Sequence, residues 1–163
     1  MQKQQPHQPV LLEKVIEYLA IDPEGIYIDA TFGRGGHAGN ILKNLAEKGR
    51  LIAIDKDPEA LAYAKQHWGN DKRVEIYQAS FRTLAEIAKA HGIYGQVSGC
   101  LFDLGVSSPQ LDQAERGFSF LRDGPLDMRM DPKTGISAAT WLACATEKEM
   151  AQVLKDYGRS EEH

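Results

Sequence analysis

The residues best suited to chemistry are a glycine-rich run, Asp29-Ala30-Thr31-Phe32-Gly33-Arg34-Gly35-Gly36-His37-Ala38, and three spaced acids, Asp29, Asp55 and Asp103. Gly33, Gly35 and Ala38 satisfy G-x-G-x-x-[G/A], and Asp55 lies 22 positions beyond Gly33, near the separation at which an acid meets a ribose hydroxyl. That pattern serves nicotinamide, flavin and S-adenosylmethionine cofactors alike, because each presents an adenosine ribose. Asp29 helps to separate them: a carboxylate just ahead of the loop repels a pyrophosphate and attracts a cationic amino-acid moiety. Asp103 adds an acid followed by a small turn with a Ser-Pro pair, Leu104-Gly105-Val106-Ser107-Ser108-Pro109-Gln110. S-adenosylmethionine fits these groups best. Any one acid, read alone, could equally cap a helix or solvate a loop.

Each of these groups falls at the end of an apolar run. Pro9 followed by Leu11, Leu12, Val15, Ile16 and Leu19 predicts an amphipathic helix with proline near its first turn. Ile26-Tyr27-Ile28 reads as a buried strand ending at Asp29, and a helix follows through Ile41, Leu42 and Leu45, with Gly49 as its C-terminal cap. Leu51 to Ile54 is apolar throughout, as expected of a parallel strand covered on both faces, and ends at Asp55. Asp57-Pro58 opens a third helix. The alternating Val74-Glu75-Ile76-Tyr77 suits a strand nearer an edge, leading to Ser80-Phe81. Thr83 is placed to cap a helix that Gly92 ends, and a fourth strand from about Val97 to Phe102 reaches Asp103. The order β-α-β-α-β-α-β predicts a doubly wound, mainly parallel α/β sheet, in which ligands sit outside the carboxyl ends of the strands.

Beyond Gln110 the texture changes to a long turn-rich segment over 111–135, expected to be a lid or binding loop. Ser137 and the Thr146/Glu149 capping box then start two short helices. We expect a cofactor-binding α/β domain over 1–110 and a substrate loop with the beginning of a helical domain over 111–163. Composition narrows the function classes further. No apolar run approaches the ~18 residues of a membrane span, and Met1 to Gln8 has no secretory pattern, which predicts a cytoplasmic protein without membrane partners. Cys100 and Cys144 lack metal-ligand spacing, so packed, reduced thiols and no metal are expected. A net charge of -4 gives no general footprint for nucleic acid, although a local patch could lie within an acidic average.

Several blocks together resemble the MraW (RsmH) family of bacterial 16S ribosomal RNA cytosine-N4 methyltransferases. They are Pro9-Val10-Leu11-Leu12, Thr31-Phe32-Gly33-Arg34-Gly35-Gly36-His37, Ala53-Ile54-Asp55-Lys56-Asp57-Pro58, Leu104 to Asp112, Glu115-Arg116-Gly117-Phe118-Ser119-Phe120 and Asp123 to Asp131. The resemblance runs from about residue 7 to Tyr157. It implies a Rossmann-like fold and transfer of a methyl group from S-adenosylmethionine to N4 of a cytidine in the decoding region of the small ribosomal subunit.

The same resemblance puts Gly35, Gly36 and His37 on the methionine side of the cofactor and Asp55 on its ribose, with Gly33 a further cofactor-binding residue of the turn. Phe81 then lies by the adenine, and Asp103 and Gln110 complete the site. His37 could alternatively be a helix cap or a packed ring. N4 has its lone pair delocalised into the ring, so acceptors must receive its hydrogens as it becomes tetrahedral. Asp103, Ser107, Ser108 and Pro109 are the candidates. The target base must be unstacked to enter, and Phe118 or Phe120 could stack on it or serve as core. Family members are roughly twice as long, so the resemblance implies an N-terminal portion. Its fourth strand would expose an edge that invites association, a homodimer included. Two other functions stay open: a cofactor-binding or assembly module without catalysis, and a nicotinamide-dependent oxidoreductase.

Overall fold

The computed structural model describes residues 11–158; Pro9 and Val10, and the tail from Arg159, lie outside the described residues. The chain divides into two compact units, 1–107 and 108–163.

In the first unit α1 (Leu12–Leu19) precedes β1 (Ile26–Asp29), α2 (Gly36–Asn44), β2 (Arg50–Asp55), α3 (Pro58–Trp68), β3 (Val74–Gln78), α4 (Leu84–Ala90) and β4 (Gly99–Leu101). The strands form one parallel sheet in the order β3-β2-β1-β4. This is the expected Rossmann-like arrangement. The period of two along each strand divides the core between the faces of the sheet. Tyr27, Leu51 and Ala53 pack with Ile41 and Leu42 of α2, Leu45 just beyond it and Ala64 of α3. Ile28, Ile52 and Ile54 pack with Ala88 of α4 and with Ile93 on the other face. The central strand β2 is buried from Leu51 to Ile54, whereas β3, at an edge, is half-buried, as their apolar and alternating patterns predict.

Three local expectations are corrected. Gly49 does not cap α2: the helix stops at Asn44, with Leu45 extended. Arg73 Nη1 donates instead to the carbonyls of Leu42 at 3.0 Å and Leu45 at 2.7 Å, held in place by Asp71. A long-range arginine thus satisfies carbonyls that a helix end leaves open. Thr83 gives α4 no side-chain cap; its hydroxyl donates to the Ser80 carbonyl, and Ser80 Oγ accepts from the Arg82 amide in the preceding 3-10 turn. Cys100 and Cys144 are unpaired, but both are exposed rather than packed. Asp57 does cap α3, accepting from the Glu59 amide ahead of Pro58.

The second unit holds α5 (Ser108–Asp112), α6 (Ala138–Cys144) and α7 (Glu147–Tyr157), with a 3-10 turn at Ala114–Arg116. Ser137 caps α6, and Thr146 and Glu149 form the expected capping box of α7. The turn-rich segment is irregular yet organised: buried Arg116 donates through Nη2 to the carbonyls of Arg129 and Met130, and its own carbonyl accepts from the Met128 amide. Among the described residues no helix is long and apolar enough to cross a membrane.

Candidate functional site

Parallel pairing brings the carboxyl ends of the strands to one rim. Asp29 pairs in register with Ala53 of β2 and Leu101 of β4, and Asp55 pairs with Gln78 of β3. The turn leaving β1 is sewn across that rim: the Ala30 amide donates to the Leu101 carbonyl at 2.9 Å and the Phe32 amide to the Ile54 carbonyl at 3.0 Å.

The glycine turn is then fixed from both sides. The Gly33 amide donates to Oδ2 of Asp55 at 2.7 Å, and Oδ1 of Asp55 accepts from the Asp57 amide at 2.9 Å. Gly33 has a φ of +55°, and the space where a Cβ would stand is open, its nearest neighbour being the Thr31 carbonyl at 3.9 Å. Backbone is therefore presented to whatever occupies the rim. Gly35, at φ +69°, is different. A Cβ there would stand 2.6 Å from ring carbons of Phe32 and Trp68. Its lack of a side chain serves aromatic packing beneath the turn, where Phe32 and Trp68 meet edge to face at 5.5 Å. Gly36 begins α2, whose first amides are free of intrahelical acceptors and suit a carboxylate.

Asp103 meets the glycine turn twice. Its amide donates to Thr31 Oγ1 at 2.7 Å, and its Oδ2 lies 3.7 Å from Nε2 of buried His37. Phe81 is half-exposed and meets Phe102 edge to face at 5.9 Å, leaving an apolar surface beside the rim suited to an aromatic ring. Sequence reasoning missed Thr31 and Phe102. A hydroxyl two residues past a strand-end acid, and an aromatic just ahead of another, were the available signals.

Burial sets the electrostatics. Asp29 is enclosed, which pushes its carboxyl up to about 7; the Thr31 amide opposes the shift, and Asp55 and Asp103 add to it. Burial also raises Asp55 above the ordinary range, against the amides of Asp57 and Gly33. It lowers His37, against the nearby charge of Asp103. Asp55 and Asp103 at the rim attract a cation, and an open glycine backbone beside a helix start accepts an anion. A zwitterionic amino-acid moiety carrying a nucleoside meets both requirements; Nδ1 of the neighbouring His37 is buried without a hydrogen-bond partner.

The first unit thus brings together Gly33, Gly36, His37, Asp55, Phe81 and Asp103, with Gly35 packed behind the turn. Ser107 closes that unit. Ser108, Pro109 and Gln110 belong to the second, where they form the first turn of α5 and Gln110 is buried. Phe120 is wholly exposed, which excludes a core role for it, and Phe118 is half-buried. Among the described residues no cluster of His, Cys, Asp and Glu is suited to a metal ion.

The model of the MraW methylase family matches residues 4–163. The ribosomal RNA small subunit methyltransferase H of Thioalkalivibrio sulfidiphilus is 59% identical over 152 residues, covering 93% of this chain and 48% of that protein. Its counterpart from Alteromonas mediterranea is 60% identical with the same coverage. The chain spans about half the length of these curated relatives. Among solved structures, a SAM-dependent methyltransferase from Aquifex aeolicus superposes with a TM-score of 0.39 and 26% identity, over 43% of this chain and 38% of that one.

Proposed function

Because the chain belongs to the MraW methylase family, we propose that it is the cofactor-binding portion of an S-adenosylmethionine-dependent methyltransferase acting on N4 of a cytidine in the decoding region of 16S ribosomal RNA. The observation that carries this reading is the rim itself: Asp29, Asp55 and Asp103 end or follow three neighbouring strands around one glycine turn. Bound there, S-adenosylmethionine supplies a methyl group on a sulfonium, activated for displacement by an amine.

The protein's part is to hold and orient. Asp55 takes the ribose hydroxyls, its two oxygens already oriented by the amides of Gly33 and Asp57. Gly33, Gly35, Gly36 and His37 surround the methionine moiety, with the first amides of α2 meeting its carboxylate. Phe81 covers the adenine. Asp103 and the Ser107-Ser108-Pro109 turn accept hydrogens from N4, and Gln110 completes the cofactor's contacts; the family resemblance supports the last four assignments. Small-subunit RNA is the partner on this reading, and the cytoplasm the location.

Calorimetry with S-adenosylhomocysteine tests the reading directly. A heat of binding and a rise in Tm are expected; neither heat nor thermal shift would count against it. Binding without methyl transfer to small subunits would leave this chain a cofactor-binding module.

A further inference from the structure

His37 contributes a buried polar atom without a partner at the rim. The residue is only 7% exposed, and among the described residues Nδ1 has no hydrogen-bond partner, while Nε2 faces Oδ2 of Asp103 at 3.7 Å. Burial holds the ring below its ordinary pKa, favouring the neutral form with a single proton. On Nδ1 that proton would be a buried donor with nothing to bond. On Nε2 it faces a carboxylate at 3.7 Å, beyond hydrogen-bond range but close enough to become a charge-assisted hydrogen bond when ligand excludes water. Asp103 is held at a second point, because its amide donates to Thr31 Oγ1 at 2.7 Å, and the Thr31 amide in turn donates to Asp29 Oδ1 at 3.1 Å. Asp29 and Asp55 are the other carboxylates at this rim, and among the described residues Asp103 is the acid within 4 Å of the imidazole.

We propose that His37 and Thr31 are positioning residues: His37, as the neutral Nε2–H tautomer, sets the direction of the Asp103 carboxylate, while Thr31 fixes the Asp103 backbone. The proposal deepens the reading of this rim as a cofactor site and rests on it for its consequence. Sequence reading offered His37 as a cofactor contact, a cap or a packed ring; here it acts through Asp103.

The test has one arm that needs no cofactor. Long-range 15N–1H correlation spectra of the full chain should show His37 protonated on Nε2, with a ring pattern that moves in D103A. An Nδ1–H pattern, or one indifferent to D103A, would overturn the proposal. The second arm compares binding of S-adenosylhomocysteine. A glutamine amide reaches the place of Nε2 and an asparagine amide that of Nδ1, so H37Q should keep most of the affinity and H37N should lose about tenfold, the size of one charge-assisted hydrogen bond. T31S should likewise bind better than T31V. Equal loss in H37Q and H37N, matched by equal losses of Tm, would mark His37 as packing alone and overturn the positioning role. A wild-type chain with the Nε2–H pattern but no affinity for S-adenosylhomocysteine would uphold the His37–Asp103 relation and count against the cofactor reading.

Discussion

The Gly33 amide and the Asp55 carboxylate, 22 positions apart, are joined at 2.7 Å, so the turn after the first strand is fastened to the end of the second. Asp55 therefore has a structural task before any ligand arrives. Asp55→Ala leaves the Gly33 and Asp57 amides without this acceptor, and we expect a loss of about 1–2 kcal/mol in urea unfolding. Asp55→Asn keeps one acceptor oxygen, sheds a partly buried charge and should lose less stability. Both variants should weaken S-adenosylhomocysteine in calorimetry by about tenfold or more, because the ribose contact needs both oxygens. Undiminished affinity in Asp55→Ala would exclude the ribose role.

Gly33 and Gly35 share a left-handed backbone but differ in what lies beyond it. Gly33→Ala meets open space and should cost about 1–2 kcal/mol, the conformational penalty alone. Gly35→Ala adds a methyl carbon against Phe32 and Trp68 and should cost appreciably more, about 3 kcal/mol. The two effects separate in a double mutant: Trp68→Ala removes one side of the clash, so the double mutant should lose less stability than the sum of the two single losses. Strict additivity in chemical denaturation would show that the ring is not the obstacle.

These glycines show what the sequence could and could not reveal. Strands, their succession along the chain and the acids at their ends were legible because local periodicity and turn residues carry that information: Leu51 to Ile54 read as a covered strand, and Asp57-Pro58 as a helix start. The G-x-G spacing announced a turn but not that Gly35 faces inward onto Trp68, 33 residues away, since only the packed helix brings that ring there. The same limit explains the end of α2. A glycine at the right distance suggested a cap, while the carbonyls are taken by Arg73 from beyond the next helix. Thr31 beside Asp103 is a third case, a pairing that exists only because β1 and β4 are neighbours.

Asp29 predicts a pH dependence of stability. Its carboxyl is raised to about 7 in the folded chain by burial, from an ordinary value of 3.8. Between those values the native state holds a proton that the unfolded chain has released, so stability should fall as pH rises through that window. The slope from this group is at most about 1.4 kcal/mol per pH unit. Asp29→Asn, which mimics the protonated form, should flatten the decline between the ordinary value of 3.8 and about 7 in denaturant titrations. A wild-type curve without that fall, or one identical to the variant's, would refute the assignment.

Arg116 is the counterpart in the second unit of the Asp55 fastening. It is buried, its Nη2 donates to the carbonyls of Arg129 at 3.3 Å and Met130 at 2.8 Å, and its carbonyl accepts from Met128. One guanidinium nitrogen and one backbone carbonyl of the same residue thus close the irregular segment into a loop. The Arg129 fork in turn holds the Asp127 carboxylate, whose pKa is lowered to about 2 chiefly by that contact, with the Arg116 charge assisting. Arg116→Met fills similar space but leaves two carbonyls unpaired, and should cost the loop about 2 kcal/mol. Arg116→Lys keeps the charge without the fork and should recover only part. The measurement is limited trypsin digestion: cleavage after Arg122 and Arg129 should accelerate by at least about tenfold in Arg116→Met, since a 1.4 kcal/mol rise in loop opening is enough for that factor. Cleavage at the wild-type rate would mean that the segment is held by something other than this arginine.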